Sequence, residues 1–159
     1  MGQDFVVSFD EKKWHNLISR LQKNIDAKKL ADVASPMVFS DVQEHFAKEE
    51  GPEGHWEGWS FSYFDKLINS KKKRFASHAA SGKILQFSGK LRNNFLPTKK
   101  RVEKYKITWF NNAKTKKGFP YAYAHDTGGP KLPQRSFMWL SNSAFDKIVN
   151  SYMKYVEEE

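Results

Sequence analysis

The sequence predicts an α+β domain: helices first, a small antiparallel sheet over about residues 100–125, and a final helix packed on that sheet. Three observations carry this reading. Apolar residues recur at helical spacing before residue 50 and after residue 141, the pattern switches to period two after residue 102, and segments rich in glycine and proline punctuate the chain. A chain of 159 residues fits one domain, 1–159, which can bury roughly 70% of its unfolded surface without metals or disulfides.

The elements follow in order. Ser8 and Glu11 form a capping box, and Trp14, Leu17, Ile18, Leu21 and Ile25 then mark an amphipathic helix near 9–30. Ser35 followed by Pro36 reads as an N-cap with proline in the first turn, so a second helix is expected over about 36–49, ended by Gly51. The segment from Gly51 to Trp59 is too rich in glycine for regular structure. Its two tryptophans, Trp56 and Trp59, are costly to leave in water, so this loop is expected to fold back onto the core.

After Ser60, the residues Phe61, Phe64, Leu67 and Ile68 suggest a third helix whose C-terminal end carries Lys71, Lys72, Lys73 and Arg74, where cations suit the helix dipole. From 102 onward Tyr105, Ile107 and Trp109 alternate with Lys104, Lys106 and Thr108, the signature of a half-buried strand. Asn111-Asn112 and Lys114 to Gly118 read as a turn or mobile hairpin tip. The segment 119–125 is then read as a second strand, although Tyr121 to His125 also fits a single helical turn. Ser141 caps a last helix with Phe145, Ile148, Val149, Tyr152 and Val156 facing inward, and Glu157 to Glu159 oppose its dipole and are expected to fray.

Charge is distributed unevenly. Residues 66–117 hold 16 of the 27 Lys and Arg but only one of the 18 acids, Glu103, which gives this stretch about +15. Both flanks are mildly negative, so the field points to a large anionic partner, either a polyanion or an acidic protein surface. The chain has no cysteine, which excludes disulfides, thiolate metal sites and a cysteine nucleophile. The start Met1-Gly2-Gln3-Asp4-Phe5-Val6 has no basic n-region, and no stretch approaches 18 apolar residues. Neither export nor a membrane span is therefore expected, and a cytosol is the expected compartment.

Catalytic constellations are not found. The only local pair worth weighing is His125 beside Asp126, and no Gly-x-Ser-x-Gly elbow accompanies it. His45, His55, His78 and His125 fall in no metal-ligand spacing, and no glycine-rich phosphate loop is present, so neither enzyme activity nor a cofactor is expected. The clusters Lys71 to Arg74 and Lys99, Lys100 and Arg101, with Lys114, Lys116 and Lys117, are candidate contacts for a partner or for DNA. Interleaved with Phe75, Tyr105, Trp109 and Phe110, they also permit binding of nucleic acid through its backbone and by stacking, without sequence preference. The competing reading is a strand with one buried and one solvated face.

Four blocks recur in a recognisable order: Pro52-x-Gly54-x-Trp56-x-x-Trp59, Ile84-Leu85-x-x-Ser88-Gly89-x-Leu91-Arg92, Tyr121-Ala122-x-x-His125-x-x-Gly128 and Leu132-Pro133-x-Arg135-x-Phe137. This set resembles the phage virion morphogenesis family, typified by the gpG-like tail completion proteins of Mu-like phages. The resemblance spans about 52–140 with the last helix following, so 52–156 is the family-like part and 1–50 a helical N-terminal part. It implies a non-enzymatic structural protein of a tailed phage or prophage, a tail completion or neck component that forms a homo-oligomeric ring at the head–tail junction or tail end. Its implied partners are copies of itself, adjacent neck, connector or tail proteins, and the genomic DNA backbone in the channel. Its implied location is the virion, after assembly in the host cytoplasm. Within the blocks, Ser88 reads as an N-cap and Gly89 as a close-packing position, so that Leu91 and Phe95 pack down from a short helix. Gly128 and Gly129 permit a sharp reversal, and Pro133 holds an extended entry to Arg135 and Phe137. Two residues apart on an extended segment, Arg135 and Phe137 face one side, a pairing typical of subunit contacts. A local ion pair is the alternative for Arg135.

Overall fold

A computed structural model describes residues 12, 26–104 and 106–157, and its architecture is α+β. Helix α1 (Ala27–Lys48) is the longest element. Most of the helix expected near 9–30 lies outside the described residues, as does Tyr105.

Helix α1 starts at Asp26, whose carboxylate accepts from the backbone N–H groups of Lys28 (2.8 Å) and Lys29 (3.3 Å). It does not start at Ser35. The helix runs through Pro36, which an interior position penalises by about 3 kcal/mol. What offsets this is one continuous buried stripe of Leu30, Ala31, Ala34, Val38, Val42 and Phe46, which extends to both sides of the proline. Ser35 is therefore an interior residue: its hydroxyl donates to Ala31 O and accepts from Trp109 Nε1 at 3.2 Å. Lys100 Nζ reaches the same turn, 2.8 Å from Asp32 Oδ1 and 3.0 Å from Ser35 Oγ.

The helix ends at Glu49 in the left-handed region (φ 57°, ψ 46°), an uncommon conformation for a side chain of this size. Three bonds hold it. Its N–H donates to His45 O, its carbonyl accepts from Trp56 N at 2.7 Å, and its carboxylate accepts from Ile84 N at 2.8 Å. The following segment, expected to be irregular, forms a two-rung hairpin of β1 (Glu50–Gly51) and β2 (Gly54–His55), because Gly54 takes φ 118° at the turn.

Helix α2 (Phe61–Ile68) follows Ser60, as expected, with Ser60 as its N-cap, but it stops before the basic run. Asn69 binds back to Asp65 at 2.8 Å, Ser70 Oγ accepts from Lys72 N, and a separate helix α3 (Lys73–Ser81) begins there. Lys72, Lys73 and Arg74 thus sit at the start of a helix, the end where its dipole disfavours cations, and not at the end of one. Helix α4 (Lys90–Asn94) is short, and its N-cap is Gly89 at φ 68°, not Ser88. Gly89 is needed for that φ and not for close packing against another element. Leu91 and Phe95 do pack down from it, both buried.

The single strand expected after 102 is a hairpin. Strands β3 (Lys100–Glu103) and β4 (Lys106–Trp109) pair antiparallel in the register Lys100↔Trp109 to Glu103↔Lys106. Both faces of β4 are covered, since Ile107, Thr108 and Trp109 are all buried. The alternation with lysines marked only part of what is inside. The sheet ends at Trp109. Residues 121–127 form helix α5 (Tyr121–Thr127), so the helical option for this segment holds and the strand option does not.

Helix α6 (Asn142–Glu157) packs along α1, which also takes the β3–β4 hairpin, so the C-terminal helix rests mainly on a helix and not on the sheet. Ile148 and Tyr152 are buried, Phe145 and Val149 partly so, and Val156 is exposed, against expectation, near the end of the helix. Ser141 caps α6 by accepting from Ala144 N at 3.1 Å, and it is itself held by Asp41 of α1. Asp41 accepts from Ser141 N at 2.8 Å and from Ser141 Oγ at 2.6 Å. Beside it, His45 Nδ1 donates to Phe137 O at 3.1 Å and Nε2 lies 3.5 Å from Asp41, with Trp139 stacked on the ring at 4.1 Å. Replacing Asp41 by Ala leaves a helix cap and a buried N–H without their acceptor. Destabilisation on the order of 2 kcal/mol is expected in urea unfolding; an unchanged midpoint would show that the α1–α6 junction does not rely on this carboxylate.

Candidate functional site

The four sequence blocks meet in space. Trp56 is buried, edge-on to Phe46 at 5.6 Å, and its Nε1 donates to Ser136 O at 2.9 Å. Trp59 is partly buried and packs against the core beside His78 (4.9 Å). Arg135 reaches the loop that carries both tryptophans: Nε donates to Glu57 O at 2.8 Å and the terminal nitrogen to Gly58 O at 3.0 Å. Its own N–H donates to His125 O at 2.8 Å, while Asp126 Oδ1 accepts from Phe137 N (2.9 Å) and Met138 N (3.0 Å). The second block joins through Glu49, whose carboxylate accepts from Ile84 N at 2.8 Å and whose carbonyl accepts from Trp56 N at 2.7 Å, and buried Asn111 donates to Leu91 O at 2.7 Å.

Arg135 and Phe137 do face one side, but that side is the interior. Both are buried, so neither is a surface contact for a partner. The partners of Arg135 are backbone carbonyls, so it is not a local ion pair either. The reversal before them needs its glycine. At Gly128 (φ 72°) a Cβ would stand 2.9 Å from both Cβ and N of Gln134, and Gly129 and Leu132 close the next turn by exchanging bonds of 2.8 and 3.1 Å. Pro133 lies just before the buried arginine, and Ala122 is buried on the inner face of α5.

Around this junction lies an open cleft of about 880 Å³. One wall is aromatic: Phe75 stacks on Phe87 (5.0 Å), Phe87 meets His78 edge-on (4.9 Å), and His78 lies against Trp59, which in turn contacts Tyr63 (6.2 Å). Tyr121, His125 and Pro133 line it from other segments. Lys90, Lys114, Lys116 and Lys131 also line it, and Glu57 is the one carboxylate in the lining among the described residues. Buried Arg135 adds positive charge beneath.

The electrostatics follow from burial. His125 Nδ1 is enclosed without a hydrogen-bond partner, and burial followed by the charge of Arg135 lowers its pKa, so the ring is neutral near pH 7. Burial also lowers His78 and raises the Tyr121 phenol. Asp126 is raised by burial, against the pull of its two backbone donors. Burial lowers Arg135 as well, partly offset by Glu57 and Tyr63. Asp126 binds the backbone of 137–138 and does not orient the His125 ring, so the adjacent pair has no triad-like arrangement.

The expected basic cluster divides. Lys71, Lys72, Lys73 and Arg74 are exposed, with the Arg74 guanidinium over Phe75 at 5.0 Å and Phe87 at 5.8 Å. Lys99 and Lys100 are committed internally, Lys99 to Asn94 (2.9 Å) and Asn112 (3.2 Å), Lys100 to α1. Arg101 is exposed on β3. Lys114 and Lys116 line the cleft and Lys117 is exposed beside them, on a turn closed by Thr115 N to Phe119 O and Gly118 N to Thr115 O, both 2.9 Å. Sequence reading missed Tyr63, Phe87, Lys90 and Lys131, which enter the cleft from three separate segments. Among the described residues no group of His, Asp and Glu is placed to hold a metal, and no helix is long and apolar enough to cross a membrane.

Comparisons with protein-family models, with curated proteins and with solved structures find no match.

The lowered pKa of His125 has a pH signature. The unfolded chain takes a proton below about 6.5 while the folded ring resists it, so this contribution to stability is complete above that pH and is lost as pH falls towards the folded value. His78 acts in the same direction, and Asp126, raised, acts in the opposite one at lower pH. His125→Gln should therefore reduce the loss of stability between pH 7.5 and 5.5 measured by urea unfolding; equal losses in variant and parent would contradict the assignment.

Proposed function

We propose that this chain is a structural, non-enzymatic assembly protein of a tailed phage or prophage, a tail completion or neck component that forms a cyclic homo-oligomeric ring where head and tail join. The observation that carries the reading is the convergence of the four blocks behind the family resemblance: segments 52–59, 121–128 and 132–137 are joined through Trp56, Arg135 and Asp126, and segment 84–92 reaches them through Glu49, which binds both Ile84 N and Trp56 N. Residues brought together this way act as a unit of architecture, since their polar atoms are spent on one another and not on a substrate.

The surface is suited to contacts between subunits. Helix α2 buries only Leu67 among the described residues and leaves Phe61 84% and Ile68 51% exposed, next to the basic start of α3. In a ring, such a face is covered by the neighbouring copy, and the basic surface meets an acidic neighbour or the DNA channel. The neighbours in the particle are neck, connector or tail proteins, and the site of action is the virion after assembly in the host cytoplasm.

Native mass measurement tests this directly. A discrete ring in the absence of DNA is expected, whereas a monomer that associates only on added DNA would defeat the proposal. Reversing the charges of Lys71, Lys72, Lys73 and Arg74 should slow docking with an acidic partner in a particle-assembly complementation test; normal assembly would reduce this cluster to a solvated face.

A further inference from the structure

We infer that the aromatic-walled cleft is a binding site for unpaired nucleic acid, in which bases lie against the Tyr63–Phe87 wall and the phosphates face Lys90, Lys114, Lys116 and Lys131. The inference is independent of ring formation. It rests on three features of the cleft that coincide.

The first is charge. The four lysines make no ion pair among the described residues, and the lining offers Glu57 as its single carboxylate, so the positive field is not neutralised from within. The second is the wall. From Arg74 the rings run Phe75, Phe87, His78, Trp59 and Tyr63 at centroid separations of 4.9 to 6.2 Å, and Tyr63 and Phe87 keep 47% and 39% of their surface exposed. Planar rings of this kind take a base by stacking whatever its identity. The third is continuity. The wall begins at the Arg74 guanidinium, beside Lys71, Lys72 and Lys73, so a chain of phosphates leaving the cleft meets further cations.

These features favour unpaired strands over duplex and over an acidic peptide. In a duplex the base faces are already stacked, so a helix engages only the lysines and leaves the rings unused. An acidic peptide pairs with the lysines equally well but has no flat faces for the wall.

The test uses the full chain and a fluorescein-labelled oligothymidylate, read by anisotropy across a salt series. Single strand should bind more tightly than a duplex of equal length and more tightly than an abasic strand of equal charge. Tyr63→Ala should weaken binding by about 5- to 150-fold, the worth of one stacked base. Lys114→Glu with Lys116→Glu should lower the salt slope by about 1.4, at about 0.7 for each lost phosphate contact. The control is Lys28→Glu with Lys154→Glu, which changes net charge equally on helix ends that do not line the cleft and should leave the slope near that of the parent. Circular dichroism checks that each variant is folded. Equal binding of the abasic strand, equal or tighter binding of duplex, equal weakening by the control pair, or preferential binding of polyglutamate would each overturn the inference, the last in favour of an acidic peptide.

Discussion

The buried guanidinium of Arg135 is the constraint on which the candidate site depends. A planar, permanently charged fork presents its N–H donors at a fixed spacing, here to two successive carbonyls, Glu57 O and Gly58 O. Taking that charge out of water is unfavourable, and no salt bridge compensates it among the described residues, so the carbonyls and the nearby Glu57 and Tyr63 stabilise it. The loop at 56–59 is thereby tied to the strand-like segment at 135–137. Without this tie the two tryptophans would be anchored by the Trp56 indole, by the Trp56 N–H on Glu49 O and by ring contacts.

The consequence extends from core to surface. The same loop that Arg135 holds leads into Ser60, the cap of α2, and so sets where Tyr63 stands on the cleft wall. The same charge helps keep His125 neutral, and the backbone of Arg135 fixes the end of α5 through His125 O. Packing and surface chemistry are therefore coupled at one residue. The junction of α1 with α6 is held by Asp41 binding Ser141, and the apolar stripe of α1 connects it to the site through Phe46, which packs on Trp56 and Phe137.

Much of this was legible in the sequence, and the gaps have physical causes. The α+β class, the helix start after Ser60, the cap at Ser141 and the inward tryptophans were read correctly, because each is a local signal written within a few residues. The start of α1 was misplaced because Ser35-Pro36 is a strong local start signal, while the stripe that overrides it includes Ala31 and Ala34, too small to register as periodicity. The hairpin at 100–109 was read as one strand because Lys and apolar residues alternate through its turn. Arg135 and Phe137 were placed on one side correctly, but spacing does not say whether that side faces solvent or core. The cleft was invisible because Tyr63, the Phe87–Lys90 stretch and Lys131 come from three separate segments and no spacing relates these.

The most direct measurement is backbone hydrogen exchange of residues 56–60 in Arg135→Lys. Lysine keeps the charge and most of the bulk but cannot fork two carbonyls. The account predicts faster exchange in this loop and a loss of stability on the order of 2 kcal/mol. Unchanged protection of the loop and unchanged stability would contradict the claim that this one guanidinium ties the 56–59 loop to the 135–137 segment.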